Sequence, residues 1–163
     1  MAKRLNPGDP FPNYLIQVTD GGTLSIPQDL RGEYAVIIFY RGIWSPYCVR
    51  QLADYQAHID QFKEANVDII ALSVDPLDKA KEMAERVKAT FPIGYGLEVP
   101  RDADKVGAYW EERRKIIHAT NFIIDADKKV RQACFATSPI GRIVAEDALR
   151  SVQGAKKRKA QGS

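Results

Sequence analysis

Apolar positions along the chain fall into blocks with two different periods. Ala35-Val36-Ile37-Ile38-Phe39-Tyr40 is a continuous apolar run rich in β-branched and aromatic residues, the pattern of a strand buried on both faces of a parallel or mixed sheet. Val67 to Val74 and Ala119 to Asp125 repeat it. Leu52, Tyr55, Ile59 and Phe62 instead recur at three- and four-residue steps, which predicts one amphipathic helix from about Tyr47 to Glu64-Ala65-Asn66. Ala80, Met83, Ala84 and Val87 predict another, with Asp75 as its N-cap and Pro76 at its first position. A last amphipathic helix is expected over Val144 to Val152.

Turn chemistry joins these blocks. Leu15 to Val18 and Thr23 to Ile26 flank Asp20-Gly21-Gly22 and predict a hairpin. Ala126-Asp127-Lys128-Lys129 predicts a second, pairing Val130 to Ala136 with the strand before it. Phe91 to Gly96 reads as a short strand or link, and Pro100 to Gly107 as one or two helical turns. Residues 1 to 14, with Pro7, Gly8, Pro10 and Pro12, should be an extended lead-in. The order hairpin, β-α-β-α, β-β-α implies an α/β domain over residues 1–154, with parallel and antiparallel strands in one sheet and helices on both faces.

Composition changes this picture little. The 163 residues are 45% hydrophobic and 28% charged, ordinary for one globular domain. Net charge is +3, and Lys156, Lys157, Arg158 and Lys159 alone supply four positive charges, so the body is near neutral. No nucleic-acid groove is implied, and residues 155–163 read as a solvated, disordered basic tail. No apolar run is long enough to cross a membrane, and the first residues lack the apolar segment of a signal peptide, so a cytoplasmic location is expected. Two cysteines far apart, Cys48 and Cys134, make no disulfide framework, and two histidines without a Cys-x-x-Cys make no structural zinc site. No metal or cofactor is expected.

The candidate chemistry sits where the central strand gives way to a helix, in Arg41-Gly42-Ile43-Trp44-Ser45-Pro46-Tyr47-Cys48. A cysteine in the first turn of a helix faces free backbone N–H groups and the positive end of the helix dipole, a setting that favours a thiolate. Cys48 is therefore the candidate nucleophile. Ser45, three residues earlier, suits both a helix cap and a hydrogen-bond partner for a substrate.

FYRGIWSPYCVRQL, followed by IIALSVD and ATNFIIDADKKVR, resembles the AhpC/TSA branch of the thioredoxin-like superfamily, the peroxiredoxins and peroxiredoxin-like redoxins, over about Pro7 to Val152. The resemblance implies a thioredoxin-like fold with an N-terminal hairpin and thiol-dependent reduction of peroxides. It places Cys48 at the peroxidatic cysteine and Ser45 at the Thr/Ser of the Pro-x-x-x-Thr/Ser-x-x-Cys signature. Arg41 stands where that signature has its leading proline. The loop is also similar to that of redoxins with Trp-Cys-Pro-Tyr-Cys, here Trp-Ser-Pro-Tyr-Cys, with Ser45 in place of the first cysteine. The arginine that relatives carry before a Phe-Ile-Ile-Asp-like strand is absent from His118-Ala119-Thr120-Asn121-Phe122, and Thr120 is the nearest match to the thioredoxin cis-proline.

The site expected on these grounds is Cys48, Ser45 and Arg41, with a weakened activating shell and activity that could be reduced. Arg50 is the other candidate for the missing arginine, and Arg142 a weaker one. Trp44 and Tyr47 would wall the site; His58 is expected at the surface and His118 in the core or a loop. Cys134, inside a strand, fits packing better than resolution of an oxidised Cys48, so the resemblance implies an external reductant: thioredoxin, glutaredoxin or a low-molecular-weight thiol. It also implies a homodimer. Two other readings remain open at this point: a thiol–disulfide oxidoreductase lacking its first cysteine at Ser45, and a non-enzymatic redox-sensing module.

Overall fold

The computed structural model describes residues 3–162. Its main sheet has seven strands: β1 (Tyr14–Val18), β2 (Thr23–Ile26), β3 (Tyr34–Phe39), β4 (Val67–Leu72), β5 (Ile93–Tyr95), β8 (Thr120–Asp125) and β9 (Val130–Phe135). A separate two-stranded ribbon pairs β6 (Trp110–Glu111) with β7 (Ile116–Ile117). The helices are α1 (Pro46–Ala57), α2 (Ile59–Glu64), α3 (Leu77–Val87), α4 (Arg101–Asp104) and α5 (Ala145–Gly162).

Strand order in the sheet is β2-β1-β5-β4-β3-β8-β9. β3 runs parallel to β4 and antiparallel to β8, so the sheet is mixed, as the α/β reading requires. The continuous apolar run of β3 has its reason here: every one of its residues is buried, because both sheet faces are covered. Val36, Ile38 and Ile69 face a cluster with Leu52, Tyr55 and Phe62 from α1 and α2, Met83 from α3, and Leu149 and Val152 from α5. Ile37, Phe39 and Phe122 face the other way, onto Phe11, Tyr14, Ala103 and Val106. The lead-in is held along the start of β9 by bonds from Gly8 N–H to the Val130 carbonyl and from Phe11 N–H to the Lys128 carbonyl.

Four expectations need correction. The long helix after Cys48 is two, because the α1 ladder closes at His58, whose N–H meets the Asp54 and Tyr55 carbonyls. Ile59 and Phe62 keep the buried phase across the break, so the apolar stripe does not reveal it. Asp75 does not cap α3; the N-cap is Pro76, with no side-chain bond to the helix. The β6–β7 ribbon has two residues per strand, too few to leave an alternating pattern. The last helix does not stop at Val152, and the segment read as a disordered tail continues it to Gly162. Gln153, Ala155, Lys156, Lys157 and Arg158 are strong helix formers, and Lys156 is tied down by the Ala65 carbonyl and by Glu33 at 3.5 Å.

Candidate active site

β3 and β4 are parallel, so their carboxyl ends emerge at the same edge of the sheet. The chain leaving β3 forms the loop 40–45 and enters α1 with Pro46 at the first helical position. Ser45 is the N-cap, with extended backbone angles, and its Oγ accepts the Cys48 N–H at 3.4 Å. Cys48 is thus in the first turn, and it is fully buried. Its Sγ accepts the Arg41 N–H at 3.4 Å, a backbone donor aimed at the sulfur from the strand end. Ser45 is 1% exposed, so cap and thiol share one closed environment.

The loop is pinned from β4's end. Asp75, 8% exposed, accepts the Ile43 N–H at 2.8 Å, and its own N–H donates to Ser73 Oγ at 3.1 Å. Burial pushes the Asp75 carboxyl above its usual range, with the Ile43 bond acting in the opposite direction. Gly42 is required by crowding: a Cβ there would collide with the Trp44 indole and come within 3.1 Å of Asp75 Oδ1. Tyr40, at the loop's start, has a buried hydroxyl near Ser73; desolvation raises its pKa, Ser73 opposes the rise, and Asp75 and Cys48 add to it.

Arg41 and Trp44 form the outer wall. The Arg41 guanidinium lies over the Trp44 ring at 4.8 Å from its centroid, and Arg114 lies over the same ring at 4.9 Å. Arg114 itself is held by Glu111 through two bonds of 2.6 and 2.8 Å. Phe39 faces Thr120 at the last pair of the β3/β8 register, so Arg41, just past β3, and His118, just before β8, lie at the same edge of the sheet. The His118 pKa is lowered, by burial first and then by the charge of Arg41.

The expected residues therefore divide. Cys48, Ser45, Arg41 and Trp44 come together. Tyr47 lies exposed at the helix start with Arg50 stacked on it at 4.7 Å, so Arg50 is engaged on the surface. Arg142 is drawn instead to Gln51 Oε1 at 2.9 Å and to the Pro139 carbonyl at 2.6 Å. Cys134 faces Asn121 across the β8/β9 pair; its thiol pKa is raised by burial, against the pull of Arg142. Both cysteines are free thiols. His58 is half-buried against Asp54, and His118 lies at the approach to β8, 4.0 Å from Glu111. The cis peptides among the described residues precede Pro27 and Pro100, and neither lies within loop 40–45.

Asp75, Glu111 and Arg114 were not expected at the site. Asp75 had a usable signal, since a polar residue just past the carboxyl end of a parallel strand neighbouring β3 stands over the crevice where α/β folds place their sites. Glu111 and Arg114 had none, because the ribbon that carries them leaves no pattern. Among the described residues no cluster of metal-ligating side chains occurs, and no helix is long and apolar enough to cross a membrane.

Known proteins resemble this chain in sequence and in fold. A peroxiredoxin of Thermotoga petrophila is 28% identical over 154 residues, covering 90% of this chain and 69% of the relative. One from Archaeoglobus fulgidus is 27% identical over the same length, with the same coverage. The crystal structure of Enterococcus faecalis AhpC superposes with a TM-score of 0.82 at 20% identity, over 99% of this chain and 98% of that one. Mycobacterium tuberculosis peroxidoxin BcpB gives 0.77 at 20% identity, over 93% and 98%. These structures share the thioredoxin-like fold. The model of the AhpC/TSA family matches residues 7–133, which hold the N-terminal hairpin, the Cys48 loop, β8 and the first part of β9: this chain is a member of the AhpC/TSA family.

Proposed function

We propose that the protein is a thiol peroxidase in which Cys48 reduces hydrogen peroxide or an organic hydroperoxide. The observation that carries this reading is the seating of Cys48: first turn of α1, end of a central strand, Sγ facing the Arg41 N–H and backbone N–H facing Ser45 Oγ. Such a turn favours negative charge on sulfur. The thiolate attacks the terminal peroxide oxygen and the O–O bond breaks. Cys48 becomes a sulfenic acid, and the departing alkoxide or hydroxide takes up a proton. Ser45 hydrogen-bonds the peroxide while capping α1.

An external thiol then condenses with the sulfenic acid, releasing water and forming a mixed disulfide. A second thiol frees Cys48 and leaves as a disulfide. Thioredoxin, glutaredoxin or a low-molecular-weight thiol can fill this role, because the raised Cys134 thiol is a poor attacking group. Burial of Cys48 means that loop 40–45 or the first turn of α1 opens before peroxide enters.

The test is peroxide consumption with dithiothreitol as reductant, together with dimedone trapping at Cys48. Consumption that disappears in Cys48→Ser supports the reading; unconsumed peroxide and no sulfenic acid in the wild type overturn it. Ser45→Cys separates the disulfide-exchange reading, which gains ground if disulfide reductase activity appears without improved peroxidase activity.

A further inference from the structure

Arg41 is an unusual cation. It is 8% exposed, yet its guanidinium makes no ion pair and no hydrogen bond among the described residues, and its Nε is sealed from solvent without a partner. Its backbone N–H serves the Cys48 sulfur; its charge is left over. The Trp44 face offsets only part of the cost of burying it. Neighbouring arginines are matched: Arg114 with Glu111, and Arg101 with Glu98 and Asp102. A second polar atom at this edge of the sheet is also unsatisfied, since His118 Nδ1 is buried with no partner. Arg41 just past β3 and His118 just before β8 lie at the same edge of the sheet; Glu111 stands 4.0 Å from His118 Nε2, and neither the Arg41 guanidinium nor His118 Nδ1 has a hydrogen-bond partner among the described residues.

We propose that Arg41 and His118 form a carboxylate-binding subsite beside Cys48, which takes the carboxylate of a small-molecule partner of that thiol. A planar carboxylate matches the guanidinium fork and accepts from the imidazole as well. Trp44 also lines an open cavity of about 570 Å³ in which apolar Val74, Pro76, Leu97, Val99 and Ile116 alternate with charged Asp75, Glu98, Arg101, Arg114 and Lys115, room for the rest of such a molecule. An acid-bearing organic hydroperoxide and an acidic low-molecular-weight thiol share this chemistry. The location, not the binding itself, rests on the peroxidase reading.

The test uses Cys48→Ser, which cannot turn over, combined with Trp110→Phe, so that Trp44 is the only tryptophan of the two in the chain. Octanoate stands for the acid-bearing hydroperoxide, S-methylglutathione for the acidic thiol, and octanamide for a neutral control. The expected result is a saturable change in Trp44 emission with at least one carboxylate, about tenfold tighter than with octanamide, as one charge-assisted pair supplies. The carboxylate that saturates at lower concentration identifies the source. Adding Arg41→Gln should bring acid and amide within about twofold, while Arg41→Lys keeps part of the preference. Octanoate or S-methylglutathione should also raise the melting temperature of the Arg41 protein and leave that of Arg41→Gln unchanged. Equal affinity for acid and amide, or no saturation with either carboxylate up to about 10 mM, overturns the subsite. Binding in a protein that consumes no peroxide would leave the subsite standing and remove the peroxidase reading.

Discussion

Asp75 offers the sharpest test of how the fold holds its thiol loop. Replacing it with alanine leaves the Ile43 N–H buried without an acceptor, since Ile43 is 7% exposed and its bond to Asp75 Oδ2 is 2.8 Å long. An orphaned buried donor costs about 1–3 kcal/mol. Relief of the buried carboxylate offsets part of this, so the net loss belongs near ~1 kcal/mol, a fall of roughly 2–4 °C in melting temperature for a chain of this size. Because the bond pins loop 40–45, most of the loss should appear as easier local opening. Each kcal/mol there raises the rate of Cys48 alkylation about fivefold. Asp75→Asn keeps the acceptor and removes the charge, and should match or exceed the wild type at neutral pH. The sign with pH follows from the raised carboxyl: the fold prefers the protonated form, so the wild type loses stability as pH rises from the ordinary aspartate range through the raised one. The wild type should therefore gain on Asp75→Asn between about pH 7 and about pH 4. Thermal unfolding across that range, iodoacetamide kinetics and hydrogen exchange at the Ile43 amide measure all three. An Asp75→Ala protein with unchanged melting temperature and a still-protected Ile43 amide would refute the reasoning.

Ser45→Ala removes the α1 cap and should cost about 0.5–1 kcal/mol, the low end of the range because its bond to Cys48 is a long 3.4 Å; sulfenic-acid formation should fall about tenfold more than Ser45→Thr, read by stopped-flow dimedone competition. Cys134→Ser should leave steady-state turnover with dithiothreitol within about twofold, because burial raises that thiol and the two cysteines are not bonded. Phe122→Ala should cost about 3–5 kcal/mol by chemical denaturation, since the ring is fully buried and packs edge-on with Phe11 and Phe135 at 5.4 and 5.5 Å.

Legibility followed the range over which each signal acts. The β3 run and the β1–β2 and β8–β9 hairpins were readable because burial and turn chemistry act within a few residues. The break at His58 was not, since Ile59 and Phe62 continue the buried stripe as if the helix were whole. Asp75-Pro76 carries a helix-cap pattern, yet the carboxylate is claimed by Ile43, 32 residues away, whose N–H has no other acceptor. The basic stretch has too few apolar residues to predict its helix, and the contacts that tether Lys156 come from Glu33 and Ala65, distant in sequence. At the site, Cys48 and Ser45 were legible because cap and first turn are local, whereas Glu111 and Arg114 arrive through tertiary pairing alone.

Two apparent defects in the site belong together. Arg41 stands in place of a leading proline, and no arginine stands just before Phe122. β3 and β8 are antiparallel, so Arg41 just past the end of β3 and His118 just before β8 lie at the same edge of the sheet. Arg41 presents its backbone N–H to the sulfur at 3.4 Å and stacks its guanidinium on Trp44. Its charge lowers the His118 pKa, after burial. On the reading proposed above, the backbone of Arg41 serves the thiol and its side chain serves the partner that reaches it.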